Sequence, residues 1–275
     1  MSFTTADVVK LRKATSAGMM DCKNALTEAD GDFDRAVEII REKGKLIASK
    51  RADREASEGV VLAKVNSDKN FGAIVVLNCE TDFVAKNENF IAFTAQILDA
   101  ALANRPANLD ELKNIELEGR TIGAQVMEQT GIIGEKLELS FYSKVEAETV
   151  VPYVHPGNKL ATIVGFNKAG IDVQVGKDVA MQVAAMNPVS VDRSSVPQSV
   201  VEKELEIAKE KFRLEGKPEA MLDKIAQGAL QKWFQESTLL EQAFIKESKM
   251  TVKEYLAGSD KTLSVTGFER FALEA

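Results

Sequence analysis

The chain has 275 residues, 45% of them apolar and 28% charged, and a net charge of −7. That length calls for two or three cores rather than one, and the acidic balance argues against nucleic acid as the main ligand, because neutralising phosphates needs a basic surface. No apolar run reaches the roughly 18 residues a membrane span needs, and residues 1–5 lack the basic and apolar stretches of a secretory signal, so a cytoplasmic location is expected.

Residues 5–44 read as three short helices. Thr4 or Thr5 caps the first, which carries Val8, Val9 and Leu11. Met19, Cys22, Leu26 and Ala29 recur at helical spacing and give the second one apolar face. Asp30-Gly31-Asp32 is a turn that also supplies the cap of the third helix. Phe33, Ala36, Val37 and Ile40 share a face of that helix, and Gly44 is expected to end it. Such a module, residues 1–45, buries little by itself and suits docking. Polar and basic residues 46–58 read as a solvated linker.

At Gly59 the period changes. Val60, Leu62 and Val65, a polar turn over 67–70, and the apolar run 73–77 predict a hairpin. A helix follows from about Asn87, with Phe90, Phe93, Ile97, Leu98 and Ala101 inward, and another spans about 122–130. The same layout returns further on. Strands over 150–154 and 160–166 flank a turn at His155, and a helix over 179–186 is closed by Pro188. Asn78 and Asn167 both end the second strand of their hairpin. The halves, 59–145 and 146–196 with 236–275, are therefore read as a degenerate duplication of one α+β subdomain. Between the parts of the second, residues 197–235 carry two apolar stripes, Val201, Leu205, Ala208 and Phe212, then Leu222, Ala226, Ala229 and Trp233. Glu215-Gly216-Lys217-Pro218 must turn between them, which predicts an antiparallel helical hairpin. A strand over 264–272 completes a sheet. The fold class is α+β.

Enzymatic chemistry is poorly provided for. His155 is the only histidine; it lies in a turn, and no Gly-x-Ser-x-Gly elbow accompanies it. Cys22 and Cys79 are too far apart for a CxxC motif and are expected to be reduced and buried. Residues 170–178 resemble a phosphate-binding loop, but five residues separate the glycines and Asp178 stands where Ser or Thr should hold Mg²⁺. Asp30 with Asp32, and Glu202 with Glu204 and Glu206, have no His or Cys neighbour and read as surface charge. No cofactor or metal is expected.

Contact chemistry is better represented. Adjacent Met19 and Met20 cannot both face one narrow stripe. Either one is buried and the other incidental, or Met20 joins Arg12 in an adaptable apolar contact. Thr81-Asp82-Phe83-Val84 leads from a strand to a helix, where loops protrude. The pattern alone favours a helix approach with Phe83 tucked inside; the alternative sets a carboxylate and a large ring on an exposed tip.

Arg12 to Leu26, and then Asn78-Cys79-Glu80-Thr81-Asp82-Phe83-Val84-Ala85-Lys86-Asn87, resemble the two signatures of the elongation factor Ts family. Met181 to Pro188 and Val265 to Phe271 resemble a third and a fourth, in the family's order and over nearly the whole chain. Ser16 stands where the family usually has glycine, and Gln182 where it usually has histidine. The turn after His155 also departs from the family's glycine-rich form.

The resemblance implies a guanine-nucleotide exchange factor with no covalent chemistry, in the cytoplasm. Its partner would be elongation factor Tu, both GDP-bound and nucleotide-free, with no direct nucleic-acid or membrane contact. It implies a ubiquitin-associated-like three-helix bundle, two related subdomains and a helical hairpin, which leaves open whether the hairpin meets the partner or a second copy in a homodimer. The segment Thr81, Asp82, Phe83 and Val84 would intrude beside the partner's nucleotide site and dislodge Mg²⁺. Arg12, Met19 and Met20 match positions that grip the partner, and Ile133, Gly134 and His155 match weaker contacts. The readings from other classes are a passive adaptor whose hairpin dimerises, and an enzyme to which His155 is essential.

Overall fold

The computed structural model describes residues 3–15 and 17–273; Met1, Ser2 and Ser16, which figure in the sequence expectations, lie outside the described residues. The chain divides into two compact units, one built from residues up to 62 with 75–143, the other from 63–74 with 144–272. No helix among the described residues is long and apolar enough to cross a membrane.

The first unit begins with three helices. α1 (Thr5–Thr15) is capped reciprocally: the Thr4 hydroxyl accepts from the Asp7 N–H, and the Asp7 carboxylate accepts from the Thr4 N–H at 2.8 Å. α2 (Met19–Glu28) is followed by a turn in which Asp30 and Gly31 take positive φ. Asp32 then caps α3 (Phe33–Lys50), accepting from the Arg35 N–H at 2.9 Å. Val8, Leu11, Cys22, Leu26, Ala36 and Ile39 form their common core.

The expected stop at Gly44 is corrected. α3 runs on to Lys50, so residues 46–50, expected to open a linker, are its last turns. Gly44 is a contact point instead of a cap. A Cβ built on it would touch the Gly131 Cα at 3.6 Å, and one built on Gly131 would overlap the Gly44 Cα. Glycine here serves the close approach of two helices, a use that looks like a terminus in sequence.

β1 (Glu58–Val65) and β2 (Phe71–Cys79) follow as predicted, and β2 is buried at every position. Next come α4 (Asp82–Ala85), α5 (Glu88–Asn104), α6 (Leu109–Asn114), the short pair β3 (Glu116–Leu117) and β4 (Arg120–Thr121), and α7 (Ile122–Ile133). β5 (Glu138–Glu146) completes a three-stranded sheet in the order β1-β2-β5. The sequence pattern marks α5 and α7 but gives no sign of α4 or α6, which are too short to show a period, or of β5, whose alternation is interrupted at Tyr142-Ser143.

In the second unit β6 (Thr149–Val154), β7 (Leu160–Phe166) and, after α8 (Val173–Met186), a distant β10 (Val265–Ala272) form an antiparallel sheet in the order β10-β7-β6. Phe166 at the end of β7 faces Thr149 on one side and Val265 on the other. α8 starts at Val173, capped by Asp172, so Gly176-Lys177-Asp178 lies inside the helix and not at its start. A side chain on Gly176 would strike Val151, so glycine lets α8 rest on β6.

The helical hairpin is α9 (Gln198–Leu214) and α10 (Glu219–Ser237), turned at Gly216 with φ 77°. The α9 stripe is half-buried as expected, while α10 buries Leu222, Ala226, Leu230 and Phe234; Ala229 and Trp233 of the expected stripe are half-buried, and Trp233 packs against the Leu230 and Phe234 cluster. Successive steps of four follow one ridge of the helix, and the predicted stripe drifted off it. β8 (Ala243–Phe244), β9 (Glu247–Thr251) and α11 (Val252–Ser259) then lead back to β10.

Both sheets place the second hairpin strand in the centre and pair it with a strand that arrives after intervening helices. The two asparagines do equivalent work. The Asn78 amide donates to the Glu58 carbonyl at 3.1 Å and its oxygen accepts from the Ser140 hydroxyl. Asn167 donates to the Thr262 carbonyl and accepts from the Ser264 N–H, each at 2.8 Å. Each pins a neighbouring strand to the end of the central one.

Candidate functional site

Cys79 ends β2 in the core of the first unit, and the chain must then leave the sheet for α5. Thr81 is extended, at φ −125° and ψ 153°, and its hydroxyl accepts from the Val84 N–H at 3.4 Å, which caps α4. This single turn of helix sets the side chain of Phe83 outward, 84% exposed. The expectation that Phe83 tucks inside is therefore wrong. Cys79 and Ala85 supply the buried contacts on either side of it, and a four-residue helix has no face left for the ring.

Asp82, on the first turn, pairs with Lys86 at 2.6 Å, and the carboxylate raises the lysine's pKa through hydrogen bond and charge. Glu80 and Thr81 are tied to the segment that follows α7. Glu135 accepts from the Thr81 hydroxyl at 2.7 Å and from the Thr81 N–H at 3.0 Å. Glu80 accepts from the Lys136 N–H at 2.6 Å and from Arg51 at 2.8 and 3.0 Å. The Lys136 N–H and then Arg51 hold the Glu80 carboxyl below its ordinary value. Below this clamp the Cys79 thiol donates to the Thr81 carbonyl at 3.2 Å, and burial, then the charge of Glu135, pushes it up to about 12.

Ile133 and Gly134 belong to the same place. Gly134 caps α7 in the left-handed region at φ 79°, turning the chain so that Glu135 faces Thr81. Ile133 lines an open groove of about 620 Å³ together with Phe83, Val84, Phe90, Phe93 and Ile132. The exposed ring thus stands beside an apolar trough between α5 and α7.

Arg12, Met19 and Met20 are exposed on the three-helix module of the same unit. Met19 was expected on the buried face of α2; it is 37% exposed, and Ala25 completes the core beside Cys22 and Leu26. Met20 is 64% exposed. Isolated exposed apolar residues are ordinary; two adjacent exposed methionines form a flexible apolar surface.

His155 lies in the other unit, at the β6–β7 turn, exposed, with its Nδ1 2.9 Å from the Tyr153 hydroxyl. No serine or cysteine is bonded to it among the described residues, and no group of three His, Cys, Asp or Glu side chains there could hold a metal. Gln182 is fully buried and satisfied: its amide donates to Gln242 and to the Ala243 carbonyl, and its oxygen accepts from the Ile245 N–H. Glu80, Glu135 and Arg51 escaped the sequence reading, because nothing local marks a residue whose partner lies dozens of positions away.

Residues 80–275 match the family model described as Elongation factor TS. The chain is 53% identical to Elongation factor Ts of Porphyromonas gingivalis over the full length of both. It is 53% identical to that of Azobacteroides pseudotrichonymphae over 99% of each chain, and 43% identical to that of Bacteroides fragilis over all of each.

Proposed function

The chain belongs to the elongation factor Ts family, and we propose that it binds elongation factor Tu carrying GDP and speeds GDP release by pressing Phe83 and Asp82 beside the nucleotide site, where they dislodge Mg²⁺. The observation that carries this reading is the 84% exposure of Phe83 on a turn tied at its root to the segment after α7. A ring left in water forgoes about 2 kcal/mol of burial, which becomes available when a partner covers it. The brace supports use as a wedge, since a floppy loop would bend before it displaced packed helices.

Mg²⁺ bridges the phosphates of a bound nucleotide and demands near-octahedral oxygen geometry, so a modest shift of its surroundings weakens GDP sharply. Asp82 would act on the water and hydrogen-bond network around the metal. Arg12, Met19 and Met20 would grip the GTPase domain, with Ile133, Gly134 and His155 as lesser contacts. By reciprocity, a factor that weakens GDP binding is itself held less tightly while GDP is present, and so it can leave. No bond is made or broken, and the factor works where translation runs, in the cytoplasm.

Stopped-flow release of fluorescent GDP from elongation factor Tu tests the reading. Phe83→Ala should bind nucleotide-free partner nearly as wild type yet release GDP on the order of tenfold more slowly at saturation, and Mg²⁺ chelation should erase most of that difference. Met20→Ala should raise the half-saturating concentration and leave saturated release alone. Wild-type release by Phe83→Ala at every concentration would remove the wedge.

A further inference from the structure

The Thr81–Val84 turn does not hold itself. Its local ties are the 3.4 Å cap from the Val84 N–H to the Thr81 hydroxyl, the hydrogen bonds of a four-residue helix and the solvent-facing Asp82–Lys86 pair. The shorter bonds at its root come from elsewhere: both Glu135 oxygens on Thr81, and the Glu80 carboxylate on the Lys136 N–H. The pattern is reciprocal, since each of the two segments supplies a carboxylate to a backbone N–H of the other. The Thr81 hydroxyl donates to Glu135 and accepts from Val84 at once, so the carboxylate orients the group that caps the turn.

We propose that Glu135 is a positioning residue for the exchange step: by accepting from both the hydroxyl and the N–H of Thr81 it fixes the direction in which Phe83 projects. The inference rests on the reading of Phe83 as the wedge. Glu135 itself need not touch the partner. It stands just after the left-handed Gly134 that ends α7, so the long helix becomes the rigid body against which the turn is braced. Arg51, at the end of α3, holds the other carboxylate of the clamp, Glu80, and thereby ties the brace to the three-helix module. A wedge transmits force only if its root does not yield, and a displacement of about 1 Å in such an element costs up to a hundredfold in rate.

The test is a double-mutant cycle in stopped-flow release of fluorescent GDP from elongation factor Tu, using wild type, Glu135→Ala, Phe83→Ala and the double variant. In Glu135→Ala, saturated release should slow about tenfold while the half-saturating concentration and the affinity for nucleotide-free partner stay within about twofold. Added to Phe83→Ala, the same change should slow release no further, because an absent ring cannot be misdirected. Glu135→Gln keeps the shape and one acceptor oxygen; it stands in should Glu135→Ala fail to fold, and its rate should fall between wild type and Glu135→Ala. A wild-type saturated rate in the folded Glu135 variant overturns the inference, and so does equal slowing in both Phe83 backgrounds. Failure of the wedge itself is visible separately, as wild-type release by Phe83→Ala alone.

Discussion

Asp178 is buried within α8, where burial alone would raise its pKa. Its carboxylate takes hydrogen bonds from Lys246 at 2.6 Å, Gln174 at 2.7 Å and Tyr255 at 2.8 Å. Together these outweigh burial and hold it below the ordinary carboxyl value. Burial first, and then the bond to Asp178, pushes Tyr255 up to about 12. A depressed carboxyl pKa stabilises the fold above the unfolded value near 3.8 and loses that contribution as pH falls through the folded value. Asp178→Asn should therefore cost about 1–3 kcal/mol at pH 7, because a charged acceptor is replaced by a neutral one among three donors. The gap between the variant and wild type should shrink at pH 3, below the unfolded value near 3.8, where the carboxyl of the unfolded chain is mostly protonated. Thermal melting at the two pH values checks this, and a gap independent of pH would mean that the charge contributes nothing. The aspartate that spoils the phosphate-loop motif is thus a structural anchor, which the sequence excluded from nucleotide binding but could not otherwise place.

At the scale of elements, the crossing of α3 and α7 turns on two glycines that do not contribute equally. A Cβ on Gly44 makes an ordinary contact with Gly131, whereas a Cβ on Gly131 overlaps the α3 backbone. Gly44→Ala should be neutral or stabilise by up to about 1 kcal/mol, since alanine is the better helix former. Gly131→Ala must push the helices apart and should cost about 1–3 kcal/mol. Melting temperatures of the two variants decide it; equal effects would show that the helices do not cross this closely. Gly44 illustrates why element ends are hard to read. A glycine after an apolar stripe has the same local appearance as a cap, and only the helix opposite distinguishes the two. The pattern that favours a tucked Phe83 fails for a related reason. Apolar character predicts burial only when a face is available to receive the ring, and the four residues of α4 provide none.

At the scale of the molecule, the helical hairpin is anchored to the second unit through a small root. Its root is a small cluster of Val196, Leu230 and Phe234, with Arg193 over the Phe234 ring at 5.2 Å. Beyond the root, α9 and α10 meet each other, and Lys209 reaches Asp223 at 2.9 Å. Excising 206–226 and joining 205 to 227 through a short glycine linker should keep the root intact and shift the melting temperature by no more than about 3 °C. Excising 200–235 removes Leu230 and Phe234, uncovers Val196 and should cost more. If the shorter excision melts the second unit cooperatively, the hairpin is not an independent element.

The sequence by itself determined the elements whose signals are local. Helical periodicity marks the three-helix module and α9, alternation and turn residues mark the two hairpins, and Asn78 with Asn167 mark corresponding ends of the two central strands. It also carried the family, because the 78–87 and 12–26 segments are specific as strings of residues. Tertiary structure alone decided where Phe83 points, that α3 continues past Gly44, which residues of α10 meet α9, and that Glu135 and Glu80 brace the turn. Each depends on groups far apart in the chain: Glu135 lies 54 positions from the Thr81 it holds. A pattern read along the chain records what neighbours can do together. It carries no trace of a partner that arrives only when the chain has folded back.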